Sequence, residues 1–251
     1  MDKRKIFGVT ILLGLLVWLY SGFSSGTSEV LKYKLKGYRA FTTEHFTILS
    51  RGGDPCDIPL VASTAERAYG DVVESFGQQP SGRIPIIVFP DSLSLQRAFK
   101  WPSHESNLGV YHRGTIYIQS PSYWIGQSDS PSEEFYRRGP LVHELTHLMV
   151  DRLTLGNYPR WFTEGIAQYV ERDVTGYTLE EDFQIDMCSE YTTEEIFEDF
   201  DDLEDVPRAY LQALEMTTQL AGGRGLDAIV DLLPMLRSGE DIDEIYLRRV
   251  G

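Results

Sequence analysis

The chain has 251 residues, a formal net charge of −15 at pH 7, 42% hydrophobic residues and 12% aromatic residues. This apolar fraction is ample for a folded core, and the length suits one domain or two small lobes. The strong negative charge argues against nucleic acid as a partner, because a phosphate backbone is bound mainly by Lys and Arg.

Residues 1–26 form a segment that is expected to engage a membrane. Three basic residues within 1–5 precede an uncharged run over 6–20, and residues 21–23 extend that run to about the lower limit for spanning a bilayer. This order predicts an uncleaved N-terminal anchor that carries an extracytoplasmic domain. A cleaved signal peptide is the alternative, since the small residues over 21–28 offer a cleavage site, and the domain would then be secreted.

The two cysteines, Cys56 and Cys188, lie far apart in the sequence and in no Cys/His cluster. A thiolate metal site is therefore not indicated. An exported domain permits a disulfide between them, and two unpaired buried thiols are the alternative.

After a linker over 27–39, residues 40–251 are predicted to form one α+β domain. Its first part, 40–130, has the strand signals and its second part, 131–251, has helical spacing and caps. The predicted strands are 41–49, 84–89 and a hairpin over 110–119 that turns at Arg113-Gly114, with helices over 58–76 and 93–100. The predicted later helices are 133–155, 159–172, 208–220, 226–236 and 242–249, after a polar loop over 127–132. We therefore expect a sheet-bearing N-terminal lobe packed on a mainly helical C-terminal lobe.

Residues 178–206 contain thirteen acidic residues and neither Lys nor Arg. A solvated connection is the expected structure for such a run. A calcium site is the alternative, although the spacing does not match the EF-hand loop.

The stretch LVHELTHLMV over 141–150 holds the strongest chemical signal in the chain. On an α-helix His143 and His147 lie on one face, one turn apart, so both imidazoles can reach one metal ion. Glu144 is turned about 100° from His143, which places its carboxylate beside the ion rather than on it. A carboxylate there can act as the general base for a water that the ion activates. Chance occurrence of the motif is the competing interpretation.

A catalytic zinc generally has three protein ligands and one open position for water. Val150 and Leu153 stand where an all-histidine site of the HExxHxxGxxH type would need glycine and histidine. Glu164 in PRWFTEGIAQY is the preferred third ligand, because a turn after the first helix would bring the next helix back to it. Asp151 and Glu171 are weaker candidates for this ligand, and a surface carboxylate is the alternative role for Glu164.

HELTH followed by WFTEGIAQY resembles the gluzincin metallopeptidases, specifically the peptidase MA-like families, which share an HExxH helix and a WxxEG-type helix. The resemblance implies a zincin-like fold with the active-site helix between the lobes. It implies Zn²⁺ bound by His143, His147 and Glu164, with Glu144 as base and a peptide or protein as substrate. It also implies an edge strand within 110–119 that binds the substrate backbone.

The same resemblance points to Tyr210 as the donor that stabilises the oxyanion, since a Tyr on a later helix often has this role in the family. The usual YxxS setting is not kept, because Ala213 occupies the Ser position. A core tyrosine is the alternative for Tyr210. His112 in the strand region is a second donor candidate, with an exposed strand histidine as its alternative. Trp161 is interpreted as a packing residue, and Gly165 as a residue that lets its helix and the metal site approach closely.

Three functional hypotheses follow from these residues. The first is a zinc metallopeptidase. The second is a catalytically inactive module in which zinc stabilises the fold and the cleft binds a peptide. The third is a metal-free interaction domain. The intact base and the open fourth ligand position favour the first hypothesis.

Overall fold

The structure, a computed structural model, describes residues 37–52, 56–99, 108–185 and 190–250. The predicted membrane segment 1–26 and most of the predicted linker 27–39 lie outside these ranges, as does Cys188, the possible disulfide partner of Cys56. No helix within the described ranges has both the length and the apolar character that crossing a bilayer requires.

Five strands form one mixed sheet in the first half of the chain, with the order β1-β2-β3-β5-β4. The strands β2, β3 and β5 run parallel, whereas each outer strand pairs antiparallel with its neighbour. The strands are β1 Arg39–Thr42, β2 Phe46–Ser50, β3 Ile84–Phe89, β4 Gly109–His112 and β5 Thr115–Gln119. The predicted α+β class is confirmed.

Three helices lie among or directly after the strands, and eight more follow in the described part of the chain. The first three are α1 Asp57–Phe76, α2 Ser92–Phe99 and α3 Pro121–Trp124. The next four are α4 Pro131–Arg138, α5 Leu141–Thr154, α6 Arg160–Thr175 and α7 Thr193–Glu198. The last four are α8 Val206–Ala221, α9 Leu226–Val230, α10 Leu233–Arg237 and α11 Ile242–Arg249.

Strand β3 shows how the sheet is covered on both faces. Its sequence IPIIVF is almost entirely buried, as expected for a central strand between two layers. Ile84, Ile86 and Val88 point into the main core, which also contains the apolar faces of α1, α5 and α6. Ile87 and Phe89 point to the other face, where they contact Leu95 of α2. The main core therefore lies between the sheet and the helix that carries HELTH.

The predicted single strand over 41–49 is wrong, because the structure has a hairpin of β1 and β2 there. The amide of Thr43 donates to the Phe46 carbonyl at 3.0 Å, and the amide of Phe46 donates to Thr43 Oγ1 at 3.1 Å. Threonine side chains readily form such local turns, which compete with continuous strand pairing. The period of apolar residues alone could not distinguish one strand from two.

The predicted helix over 133–155 is also two helices, α4 and α5, that meet at Gly139-Pro140. Pro140 has no N–H and cannot continue a helix that started before it. It instead occupies the N-cap position of α5. The predicted helix over 226–236 likewise divides into α9 and α10. In both places the predicted range is mostly helical, but the prediction lacks the break between the two helices.

The acidic run over 178–206 is more ordered than a solvated connection. It contains α7, and Ile196 and Phe200 are buried in the main core. Within its described residues no acidic cluster lies close enough together to hold an ion, so the calcium alternative finds no support there.

Gly165 lies where α6 packs directly on α8, so its close contact is with this neighbouring helix and not with the metal site as predicted. A Cβ atom at this position would overlap Thr217 Oγ1 and the Ala213 carbonyl of α8. The backbone of α8 leaves no room to relax, because both helices are buried at this crossing. Gly165 therefore sets the distance between the two helices.

We expect Gly165→Ala to reduce the free energy of unfolding by about 1–3 kcal/mol, because the added methyl group overpacks this crossing. Gly70→Ala is the matched control, since Gly70 also lies within a helix but has open space around it. That control should gain roughly 0.5–1 kcal/mol from reduced backbone entropy. Urea denaturation measures both, and equal effects of the two substitutions would contradict the packing role.

Candidate metal centre

The two helices α5 and α6 bring the predicted ligands together. Helix α5 carries His143, Glu144 and His147, and α6 carries Glu164. Leu155 and Gly156 both have left-handed backbone conformations, with φ of 58° and 81°, and they end α5 abruptly. The chain turns back over 155–159, so that α6 packs against α5.

The three predicted ligands converge on one point. The Nε2 atom of His143 lies 3.2 Å from Glu164 Oε2, and the Nε2 atom of His147 lies 3.6 Å from the same oxygen. The three ligand atoms all lie within 4.8 Å of one another. Tetrahedral zinc with bonds of about 2.0–2.1 Å needs ligand atoms roughly 3.3 Å apart. The group could therefore hold a metal ion.

In both imidazoles the Nδ1 atom has a hydrogen-bond partner, which leaves the Nε2 atom for a metal. His143 Nδ1 lies 3.2 Å from Glu171 Oε2, and His147 Nδ1 lies 2.7 Å from Thr163 Oγ1. Such outer contacts fix the ring orientation of metal-binding histidines. Glu171, considered above as a ligand, thus contacts the ring nitrogen of His143 that faces away from the centre.

Electrostatics at the centre are set by burial and by paired charges. Burial opposes a charged His143, but hydrogen bonds with Glu164 and Glu171 raise its pKa well above the usual value. Burial also opposes a charged Glu164, which is only 2% exposed, yet Arg160 and the two imidazoles hold its pKa well below the usual value. In the metal-free protein the two carboxylates therefore favour the protonated form of His143.

Glu144 lies beside this group and contacts strand β4. Its side chain is buried, and its Oε2 accepts a hydrogen bond from the Tyr111 amide at 2.5 Å. Gly109 allows this approach, because a Cβ there would overlap the Pro140 ring and crowd the Glu144 side chain. Burial raises the pKa of Glu144, and the nearby His143 and His147 oppose that rise. The carboxylate is thus held next to the centre without joining it.

Strand β4 is an edge strand of the described sheet, with β5 on one side. The Leu108 carbonyl accepts a hydrogen bond from the Gln119 amide of β5. Backbone groups alternate in direction along a strand, so those of Gly109 and Tyr111 point away from β5. The hydrogen bond from Tyr111 to Glu144 agrees with this direction. The predicted edge strand within 110–119 is therefore present, and it lies against α5.

The two oxyanion-donor candidates differ in placement. Tyr210 on α8 lines a cleft of about 120 Å³ together with His143. Its hydroxyl lies 3.2 Å from an Arg160 nitrogen, and burial raises its pKa. The ring of His112 packs edge-on against Phe99 at 6.2 Å, on the face of the sheet opposite to the main core. The structure thus brings Tyr210 to the centre and places His112 away from it.

The remaining candidates have structural contacts. Asp151 accepts a hydrogen bond from the Tyr111 hydroxyl at 2.5 Å, which fastens the β4–β5 hairpin to α5, and it lies outside the group of His143, His147 and Glu164. Trp161 is buried and donates from Nε1 to Asp243 at 2.7 Å, in agreement with the predicted packing role.

The segment that follows α6 forms part of the cleft wall. Tyr177, Thr178 and Leu179 of this segment, called the outer wall, line the cleft together with Tyr210. Two ion pairs with the end of α4 hold this segment in place. They join Arg137 to Glu181 and Arg138 to Asp182, and all four side chains are exposed.

Reasoning from the sequence did not identify Arg160 or Thr163 as neighbours of the centre. Arg160 precedes Glu164 by one helical turn, and its guanidinium pairs with Glu164 Oε1 at 2.7 Å. The i,i+4 spacing was visible in the sequence, but surface pairs share that spacing. No sequence pattern indicated that Thr163 contacts a metal-ligand candidate.

No protein-family model matches the chain, and no curated protein matches it.

We expect binding of a divalent metal ion at this group to release protons and to tighten as the pH rises, because the raised pKa of His143 makes a proton compete with the ion. Glu171→Gln removes a carboxylate that raises this pKa, so the variant should release fewer protons at pH 7. Titration calorimetry in buffers of different ionisation enthalpy measures the number of protons released. Glu74→Gln, an exposed position on α1, is the matched control. Equal proton release from wild type and Glu171→Gln would contradict this account.

Proposed function

We propose that the protein is a zinc-dependent metallopeptidase that hydrolyses peptide bonds. One observation supports this most strongly: two imidazole Nε2 atoms from one helix and a carboxylate oxygen from the next converge beside a buried glutamate. The ligand group could hold other divalent ions, but two nitrogens and one oxygen in this arrangement are typical of catalytic zinc.

His143, His147 and Glu164 would hold the ion and leave a fourth position open. When bound, zinc supplies Lewis acidity, which polarises a carbonyl and lowers the pKa of water. The anchors on the two Nδ1 atoms prepare the ligands for this role, since neither imidazole needs to turn.

Glu144 is the proposed general base. It takes a proton from the attacking water and passes it to the departing amine. Its burial raises its pKa toward the range in which a carboxylate can both accept and return a proton. The hydrogen bond from the Tyr111 amide fixes one of its oxygens, which leaves the other for the water.

The substrate is proposed to be an extended peptide or a protein segment that lies along β4. The Tyr111 amide of this edge strand is engaged by Glu144, so the outward backbone groups of Gly109 and the Tyr111 carbonyl are the ones proposed to pair with a peptide. Gly109 also keeps the strand close to Glu144. Tyr210, which lines a cleft together with His143, is proposed to donate a hydrogen bond to the developing oxyanion.

We further propose that residues 1–26 hold this domain at a membrane, on the extracytoplasmic side. The support is the sequence order of basic residues, apolar run and polar linker. Substrates would then be peptides or proteins at or beyond that membrane surface.

Glu144→Gln should lower the rate of peptide hydrolysis by about 10²–10⁴-fold, because the amide cannot accept the proton of water. The variant should still bind zinc with near-equal stoichiometry, since Glu144 is not among the ligands. Elemental analysis and cleavage of a diverse peptide library, with and without a chelator, measure these two properties. Glu74→Gln should behave as wild type.

Two outcomes would count against the proposal. Undiminished turnover in Glu144→Gln would remove the role of the base. A wild-type protein that binds zinc but cleaves no member of the library would instead favour a zinc-stabilised peptide-binding module.

A further inference from the structure

Arg160 is the first residue of α6, and its side chain is 28% exposed. One terminal nitrogen contacts two groups of the centre: it lies 2.7 Å from Glu164 Oε1 and 3.2 Å from the Tyr210 hydroxyl. The Nε atom lies 3.7 Å from Asp201 Oδ1, which places a further carboxylate behind the guanidinium. One cation therefore touches both the proposed third ligand and the proposed oxyanion donor.

The two oxygens of Glu164 face different partners. Oε2 faces both imidazole Nε2 atoms, at 3.2 and 3.6 Å, whereas Oε1 is occupied by Arg160. A carboxylate can bind an ion through one oxygen or through both. A guanidinium on one oxygen makes binding through the other alone the favoured arrangement, and that arrangement keeps a coordination position open.

The contact with Tyr210 has a separate consequence. The guanidinium can only donate, so the phenol oxygen accepts from Arg160 and its own proton must point elsewhere. The ring is fixed by stacking on Phe200, at a centroid distance of 5.7 Å, and by the hydrogen bond from Gln168 to the Tyr210 carbonyl at 2.8 Å. The phenol is therefore held as a donor at the cleft that it shares with His143.

We propose that Arg160 is a positioning residue that restricts Glu164 to one metal-binding oxygen and orients the Tyr210 hydroxyl as a hydrogen-bond donor. This proposal rests on the proposed function for its catalytic consequence, but its effect on the metal site does not require any hydrolysis. Loss of Arg160 would release Glu164 Oε1 and the phenol together.

The first test uses cobalt as a spectroscopic substitute for zinc in the full chain. Four-coordinate Co²⁺ absorbs visible light several-fold more strongly than five- or six-coordinate Co²⁺, so the spectrum reports how many positions are filled. Arg160→Gln should lower the absorbance per bound ion about two-fold or more, because Glu164 gains a second binding oxygen. Arg224→Gln is the matched control, since Arg224 forms an exposed ion pair with Asp231. An unchanged cobalt spectrum in Arg160→Gln would overturn the proposal.

Arg160→Lys gives a second variant that keeps the charge. An ammonium lacks the planar fork of a guanidinium, so it should restore the interaction with Glu164 in part. We expect an absorbance between those of wild type and Arg160→Gln. If Arg160→Gln does not fold, this variant decides the matter, and a spectrum identical to wild type then overturns the proposal.

The second test measures the coupling between Arg160 and Tyr210 through hydrolysis. Arg160→Gln should reduce kcat/KM by about 10–100-fold, and Tyr210→Phe should then add less than a three-fold further loss. Multiplicative losses would show independent residues and would overturn the part of the proposal that concerns Tyr210. If no peptide is cleaved by wild type, the proposed function fails, while the cobalt spectra still decide whether Arg160 restricts Glu164.

Discussion

The structure depends on one shared contact, in which Glu164 Oε2 faces the Nε2 atoms of His143 and His147. All three groups lie in a largely buried setting, where an unpaired polar atom is costly. The contact requires α5 to end sharply and α6 to return beside it. The left-handed conformations of Leu155 and Gly156 provide that return, so a local backbone feature determines the geometry of the whole centre.

Other helices of the C-terminal lobe pack against α6 and fix its position. Gly165 lets α8 approach closely, and Trp161 packs against Phe197 and Tyr246 at centroid distances of 5.5 and 5.9 Å. The hydrogen bond from Trp161 to Asp243 connects α6 to the last described helix. Close packing restricts the position of α6 and therefore that of the Glu164 side chain, because a well-packed interior has little space for displacement. The sheet lobe has the matching role for Glu144 through β4.

The parts of the fold that the sequence predicts well are those with a strong local signal. Helical spacing located α1, α6, α8 and α11, and the HELTH spacing with a return helix correctly predicted the cluster of His143, His147 and Glu164. The hydrophobic pattern does not predict the turn at Thr43 or the helix boundary at Gly139-Pro140, because each depends on only a few residues. The neighbours of the centre could not be derived, because the contacts of Arg160 with Tyr210 and Asp201 join residues that lie far apart in the sequence.

The ion pair next to the metal centre and those at the outer wall of the cleft differ in exposure. Next to the centre, Arg160 pairs with the buried Glu164. The outer wall depends on Arg137 and Arg138, whose partners Glu181 and Asp182 are open to solvent. Ions in solution screen exposed pairs of this kind strongly, over a Debye length of about 8 Å at physiological ionic strength. These two contacts of the outer wall therefore weaken as the salt concentration rises, whereas the pair of Arg160 with the buried Glu164 is screened much less.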